Sequence, residues 1–263
     1  MDVLITGAAS GIGRATADYF IARGHRVFGI DIRPTEDFPC FVADITDETA
    51  LLQIKEKLSE QSIVLDAIVN VAGMHMMTSL VEGKCSSMKK IVDINLCGTM
   101  LVNRVFHSCL REKGRIVIVT SEVASLDPLP FNGLYSVTKT ALDAYAQALR
   151  QELNLIGQKV IAVRPGAVET PLCQGSVKAT AELADTTTLY KKQAKSFSGL
   201  AAKFMGKPIK AEKLAALLYK ATTVKHPKLI YQKHRNPGLV LLSLLPKRWQ
   251  CGIVKLLLQL GIF

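Results

Sequence analysis

Tyr135 and Lys139 stand four residues apart, a spacing with a definite chemical use if the stretch is helical. On a helix it puts the phenol and the ammonium on one face, with Cβ atoms about 5–6 Å apart. An unperturbed tyrosine titrates near about 10, so only about a thousandth of it is phenolate at neutral pH. A fixed cation beside it favours the charged form and moves it toward the working range of a general base. Alone, such a pair is usually a solvated helix contact worth about 0.2–0.5 kcal/mol. Its meaning depends on the elements that hold it.

The N-terminal stretch supplies a scaffold and a partner for such chemistry. A short apolar run at residues 3–5 leads into Thr6-Gly7-Ala8-Ala9-Ser10-Gly11-Ile12-Gly13. A helical pattern of Ala15, Ala17, Tyr19, Phe20 and Ala22 follows and ends at Gly24. A second apolar run, 27–30, ends at Asp31, twenty residues after Gly11. Glycines at a strand-to-helix turn let the backbone approach a pyrophosphate, and the helix N-terminus offers unpaired N–H groups. An acid at the end of the next strand can bond both adenosine ribose hydroxyls and repels a 2′-phosphate. This order is that of a dinucleotide-binding unit.

Further strands are expected at 41–43, 67–69, 116–119 and 160–163, with helical patterns between them at about 47–60, 85–111 and 134–156. Strands alternating with helices predict an α/β fold, a Rossmann-like doubly wound parallel sheet. No repeat, low-complexity tract or linker appears before residue 170, so 1–263 reads as a single domain. Past Pro171 the pattern is irregular. We expect a helical substrate lid over about 172–205 and a clearer helix at 210–223.

The spacing Gly-x-x-x-Gly-x-Gly and several motifs downstream resemble the short-chain dehydrogenase/reductase family of the classical type, over roughly residues 2–172. Residues 6–13 look like its TGxxxGxG turn. Asp44-Ile45 resembles its adenine contact, and Asn70-Val71-Ala72-Gly73 its NNAG segment, with Val71 for the second asparagine. Asn95 aligns with the catalytic asparagine and Ser121 with the catalytic serine, followed by Tyr135 and Lys139. Residues 164–170 are similar to the PG motif, where Pro165, Gly166 and Val168 lead to Thr170, the threonine that meets the nicotinamide carboxamide. Ser121 precedes Tyr135 by fourteen residues, where the family more often has thirteen. Ser125 is the alternative if the loop is unusual, and Ser121 is preferred because it directly ends the strand.

The resemblance implies an NAD(P)-dependent oxidoreductase that interconverts a secondary alcohol and a ketone by hydride transfer. In that scheme Tyr135 exchanges the proton, and Lys139 lowers its pKa and holds the nicotinamide ribose. Ser121 hydrogen-bonds the substrate oxygen, and Asn95 holds a water linking Lys139 to solvent. The dinucleotide would meet Gly7, Ser10, Gly11, Ile12, Gly13, Asp31, Asp44, Ile45, Asn70, Ala72 and Gly73. Asp31 and the non-basic Ser10 favour NAD over NADP. Arg33 counts the other way, since a guanidinium two residues on can pair with a 2′-phosphate. A dinucleotide-binding regulator without turnover is the alternative class, but such proteins usually lose the tyrosine or lysine.

Substrate choice is expected to lie in 74–77, 122–134 and 172–205, with Leu126, Leu129, Phe131, Leu172, Val177, Leu183, Leu189, Tyr190, Phe197, Leu200, Phe204 and Met205. Such walls suit a bulky hydrophobic substrate, a hydroxysteroid, bile acid or long-chain compound, or make the lid's own core. A sugar or acyl-chain carbonyl reductase is the alternative. His75 reads as a pocket or surface histidine rather than a second base.

The net charge of +11 is uneven. Residues 203–263 hold 12 Lys and Arg against one acid, Glu212, while the first 202 residues balance at 21 against 21. Within the extension at about 236–263, an apolar run at 239–245 is broken by Pro246-Lys247-Arg248. The rest is amphipathic: Arg248, Gly252, Lys255 and Gln259 on one face, and Trp249, Ile253, Leu256, Leu257 and Leu260 on the other. Neither half reaches the ~18 apolar residues of a spanning helix. The extension is expected to lie on an anionic membrane surface, cover the substrate pocket, or pack in a homodimer. No nucleic-acid motif accompanies the charge. The six cysteines show neither C-x-x-C nor metal-ligand spacing, so no metal site is expected. Without a signal-peptide pattern the chain reads as cytoplasmic.

Overall fold

Unbroken apolar runs, rather than alternating ones, mark strands covered on both faces. The computed structural model describes residues 1–204 and 207–261, apart from the side chains of 202–204. Its strands are β1 (Asp2–Thr6), β2 (Arg26–Asp31), β3 (Cys40–Val42), β4 (Leu65–Asn70), β5 (Leu110–Val119), β6 (Lys159–Pro165), β7 (Val168–Glu169), β8 (Ile209–Lys210) and β9 (Ile230–Lys233). β7 and β8 pair separately; the others form one sheet in the order β3-β2-β1-β4-β5-β6-β9. Every pairing in it is parallel. The order reverses at β1, which lies between β2 and β4, and this is where a parallel sheet opens a crevice beyond its strand ends.

The helices are α1 (Gly11–Ile21), α2 (Glu48–Glu60), α3 (Cys85–Val92), α4 (Thr99–Phe106), α5 (Gly133–Asn154), α6 (Pro171–Glu182), α7 (Lys191–Phe204), α8 (Ala211–Thr223), α9 (Pro237–Ser243) and α10 (Lys247–Leu260). Successive strand residues point to opposite faces, and the two cores divide accordingly. Leu4, Ile116 and Ile118 pack with Leu51, Phe106 and Leu142 of α2, α4 and α5. Val3, Ile5 and Val117 pack on the other face with Phe20 and Leu214 of α1 and α8. A third cluster joins Phe131, Leu183, Phe197 and Leu258, so α10 and the segment around α7 share a core of their own.

The helix expected at 85–111 is divided. A π-helical turn, Asp93–Gly98, separates α3 from α4, and the chain is already in β5 at Leu110. There the register slips: Leu110 faces Leu65, but Arg115 faces Ala67. Within the segment 172–204 the chain forms α6 and α7, joined by a 3-10 turn and bends at 183–190. Met205 and the side chain of Phe204 lie outside the described residues. β9 escaped the sequence reading because an edge strand with only Tyr231 buried has no apolar run.

Candidate active site

The turn between β1 and α1 is built by glycine where nothing larger fits. Gly7 sits at φ +69, and a Cβ there would lie 2.9 Å from Ala72 Cα. At Gly13 a Cβ would lie 2.0 Å from the Gly7 carbonyl oxygen, so its absence lets α1 close on the turn. Ser10 is the N-cap but makes no capping bond, and no acid occupies the first turn. The helix therefore presents its N–H groups and positive end to a cleft of about 470 Å³. Asp31 ends β2 on the cleft wall, its Oδ2 accepting from Ala9 N–H at 2.9 Å and its Oδ1 from Arg33 N–H at 3.0 Å. The Arg33 guanidinium donates to Ser10 Oγ, with Nε 3.8 Å from Asp31 Oδ1. The open helix end, the missing Cβ atoms and the fixed carboxylate fit a dinucleotide.

α5 brings Tyr135 and Lys139 to the same cleft. Ser121, which caps the short turn after β5, lines the cleft beside the Tyr135 hydroxyl. Lys139 is buried, donates to Val119 O at 3.2 Å, and holds Nζ 5.8 Å from the Tyr135 ring centre. The expected lowering of the phenol is not met. Loss of hydration pushes Tyr135 up to about 12, against the nearby Ser121 hydroxyl, which favours the phenolate. Burial likewise lowers Lys139 to about 8. Desolvation of both charged forms is the larger effect here.

Asn95 stands behind this pair, fully buried on the π-helical turn. Its Nδ2 donates to Met74 O (2.9 Å) and Thr138 Oγ1 (3.1 Å), and its Oδ1 accepts from Met74 N–H (2.7 Å). Thr138 Oγ1 in turn donates to Tyr135 O at 2.8 Å. Both amide protons are thus engaged within the protein. Through these bonds Asn95 ties the segment after β4 to the turn of α5 that carries Tyr135.

The predicted dinucleotide residues Gly7, Ser10, Gly11, Ile12, Gly13, Asp31, Arg33, Asp44, Ile45, Ala72, Gly73, Pro165, Gly166, Val168 and Thr170 all line the cleft with Ser121, Tyr135 and Lys139. Asn70 does not. Its Nδ2 donates to Asn103 Oδ1 at 2.8 Å beneath the sheet, and its Oδ1 is buried without a partner. Ser125 is exposed and bonds back to Glu122 O, so it is not the serine beside Tyr135. Thr170 caps α6 by accepting from Cys173 N–H at 3.2 Å, which fixes its hydroxyl on the cleft wall.

Two cleft residues were undervalued in the sequence. His75 lies against Tyr135 with ring centres 4.5 Å apart. Its Nε2 is 3.0 Å from Asn132 Oδ1, which places the neutral ring's proton there and leaves Nδ1 unpartnered. Glu122 lines the cleft while its Oε2 accepts from Asn236 N–H at 2.6 Å, linking the C-terminal extension to the loop after β5. Burial pushes its carboxyl up. No local motif marks either residue. All six cysteines are free, and among the described residues no His, Cys, Asp and Glu cluster could hold a metal.

A family model described as short chain dehydrogenase matches residues 2–181. The 3-ketodihydrosphingosine reductase of Bacteroides thetaiotaomicron is 28% identical over 173 residues, 64% of this chain and 64% of that one. The NADPH-dependent 1-acyldihydroxyacetone phosphate reductase of Schizosaccharomyces pombe is 31% identical over 180 residues, 65% of this chain and 60% of that one. In both cases the match spans less than two thirds of the relative. The serine 3-dehydrogenase of Rhizobium radiobacter is 32% identical over 179 residues, covering 64% and 72%. Among solved structures, a 3-ketoacyl-(acyl-carrier-protein) reductase from Brucella melitensis complexed with NADH shares the fold. Its TM-score is 0.70 at 22% identity, over 88% of this chain and 95% of that one.

Proposed function

The chain belongs to the short-chain dehydrogenase family, and from that premise we propose that it reduces a hydrophobic ketone to a secondary alcohol, and reverses the step, with a nicotinamide dinucleotide. The observation that carries the reading is Tyr135 set beside Ser121 and Lys139 in the same cleft as the glycine turn. A nicotinamide bound there would supply or accept the hydride. With the proton held on Tyr135 at neutral pH, the phenol starts as an acid and donates to a carbonyl oxygen as the carbonyl carbon is reduced. Ser121 Oγ donates a hydrogen bond to that oxygen and stabilises its developing charge. Lys139 carries a further proton nearby. Tyr135→Phe is expected to abolish turnover while dinucleotide binding persists; residual activity above a few per cent would overturn the assignment.

Two supports bear on the substrate. The cleft lining includes the apolar side chains of Met74, Ile94, Val123 and Leu172. Two of the relatives carry lipid ketones in their names. A long-chain ketone is therefore favoured over the hydroxysteroid or bile acid expected from the sequence, since none of these relatives is named for a steroid. A screen of long-chain ketones, steroids and polyols, followed by nicotinamide absorbance, tests this; turnover confined to polyols would sink it. We read the cofactor as NAD on the strength of Asp31, although one relative is NADPH-dependent by name and Arg33 lies close by. Asp31→Ala should weaken NAD more than NADP, and equal loss of both contradicts the preference. The last part of the reading is peripheral contact of α10 with an anionic membrane surface.

A further inference from the structure

Behind the turn at 131–133 lies a second cavity, of about 840 Å³, larger than the cleft itself. Asn132 lines the cleft, whereas Phe131 and Gly133 line this second space. Phe131 is held at φ +64, a strained conformation for a bulky side chain. Its carbonyl accepts from Thr78 N–H at 2.9 Å, and its ring packs on Tyr190 and Phe197 at 5.9 and 5.4 Å. The strain turns neighbouring residues into opposite chambers.

The interior is apolar, with Leu80, Val81, Leu129, Leu242 and Leu258 on its walls, and none of its lining groups serves the hydride-transfer chemistry. Its size is that of a small-molecule site. The charged groups come mostly from one side of α10: Lys247 and Lys255, opposed by Asp127. Asp127 is engaged, pairing with Lys247 and accepting from Gln250 Nε2 at 2.8 Å. Lys255 has no partner among the described residues. An apolar chamber with one unmatched cation has a complementary ligand: a single long hydrocarbon chain ending in an anion. We propose that this cavity binds a long-chain carboxylate, its chain inside and its head at Lys255, separately from the dinucleotide cleft.

The probe is cis-parinarate, a naturally fluorescent long-chain carboxylate, titrated into the full chain. Saturable binding of one molecule per chain is expected. Leu242→Trp, which fills a half-buried position on α9, should weaken it at least tenfold. Lys255→Glu, at an exposed position, should weaken it about as much while leaving displacement by an uncharged long-chain alcohol unchanged. Melting curves check that both variants fold. Saturable binding that both variants leave intact, binding displaced by NADH alone, or no saturable binding overturns the proposal. Tyr135→Phe should bind the probe as the parent does, so failure of the hydride-transfer reading would leave this one standing.

Discussion

His75 reports what the cleft does to an ionisable side chain. Burial lowers it to about 4, with a smaller contribution from the Lys139 charge and the Asn132 contact opposing. The ring is therefore neutral at pH 7 and cannot act as a proton donor there. Between pH ~6.5, where an unfolded histidine titrates, and pH ~4, the unfolded chain binds a proton that the folded chain refuses. Stability is therefore fully present above the unfolded value and lost as pH falls through that window, by about 2–3 kcal/mol. Urea unfolding at pH 7 and pH 4.5 should show this loss, and His75→Gln should remove most of it. An equal loss in the variant would mean that other groups cause it. Residue types and spacing made Tyr135, Lys139 and Ser121 legible, because each stands at a fixed offset from a strand or helix end. Asn70 was misplaced for the opposite reason. It ends β4 beside the cleft, but its amide turns under the sheet toward Asn103, a partner 33 positions away that local reading does not reach.

The elements depend on close approach as much as on apolar pattern. Gly13 lies in the first turn of α1 and Gly24 follows that helix, yet they should answer differently to the same change. A Cβ on Gly13 would meet the Gly7 carbonyl oxygen at 2.0 Å, so α1 would have to retreat from the turn. Gly13→Ala is expected to cost about 1–3 kcal/mol, the range for overpacking, and to abolish dinucleotide binding, because the N–H groups no longer converge. Gly24 has open space around it and only its φ of +75 to defend. Its alanine variant should cost about 1 kcal/mol and leave binding intact. Thermal melts with dinucleotide titrations separate the two; equal binding in both variants would show that the helix approach does not matter. The parallel strands were legible because burial on both faces leaves continuous apolar runs. The π-helical turn was not, since the buried apolar residues on either side of it, Ile91 before and Val102, Val105 and Phe106 after, read as one helix. On that turn Asn95 bonds Met74 and Thr138, partners that only the assembled fold brings together.

On the scale of the whole molecule, the sequence already held the charge asymmetry, but not which side of α10 would remain free. The fold commits Gln250, Val254 and Leu258 to packing, with Leu257 half-buried, so the expected apolar face is reduced to Trp249, Ile253, Leu256 and Leu260. Trp249 remains 65% exposed, and Leu241 and Leu244 stand out from α9 and the residue after it. Among the described residues no helix is long and apolar enough to cross a bilayer. A 14-residue helix with this stripe is suited to lie along a surface. A face-to-face pair of copies would set Arg248 and Lys255 against the same cations with no acid on either helix to answer them, Lys247 being paired with Asp127. An anionic bilayer answers them at about 1 kcal/mol per basic residue near the surface. The full chain should therefore sediment with vesicles containing phosphatidylglycerol, less with phosphatidylcholine alone, and less at high salt, where such attraction is screened. Ile253→Glu should release it without altering turnover of a water-soluble ketone. If that variant instead splits a dimer in sedimentation velocity, and the parent ignores both kinds of vesicle, the stripe is a subunit interface and the cations must find their acids on another face of the partner.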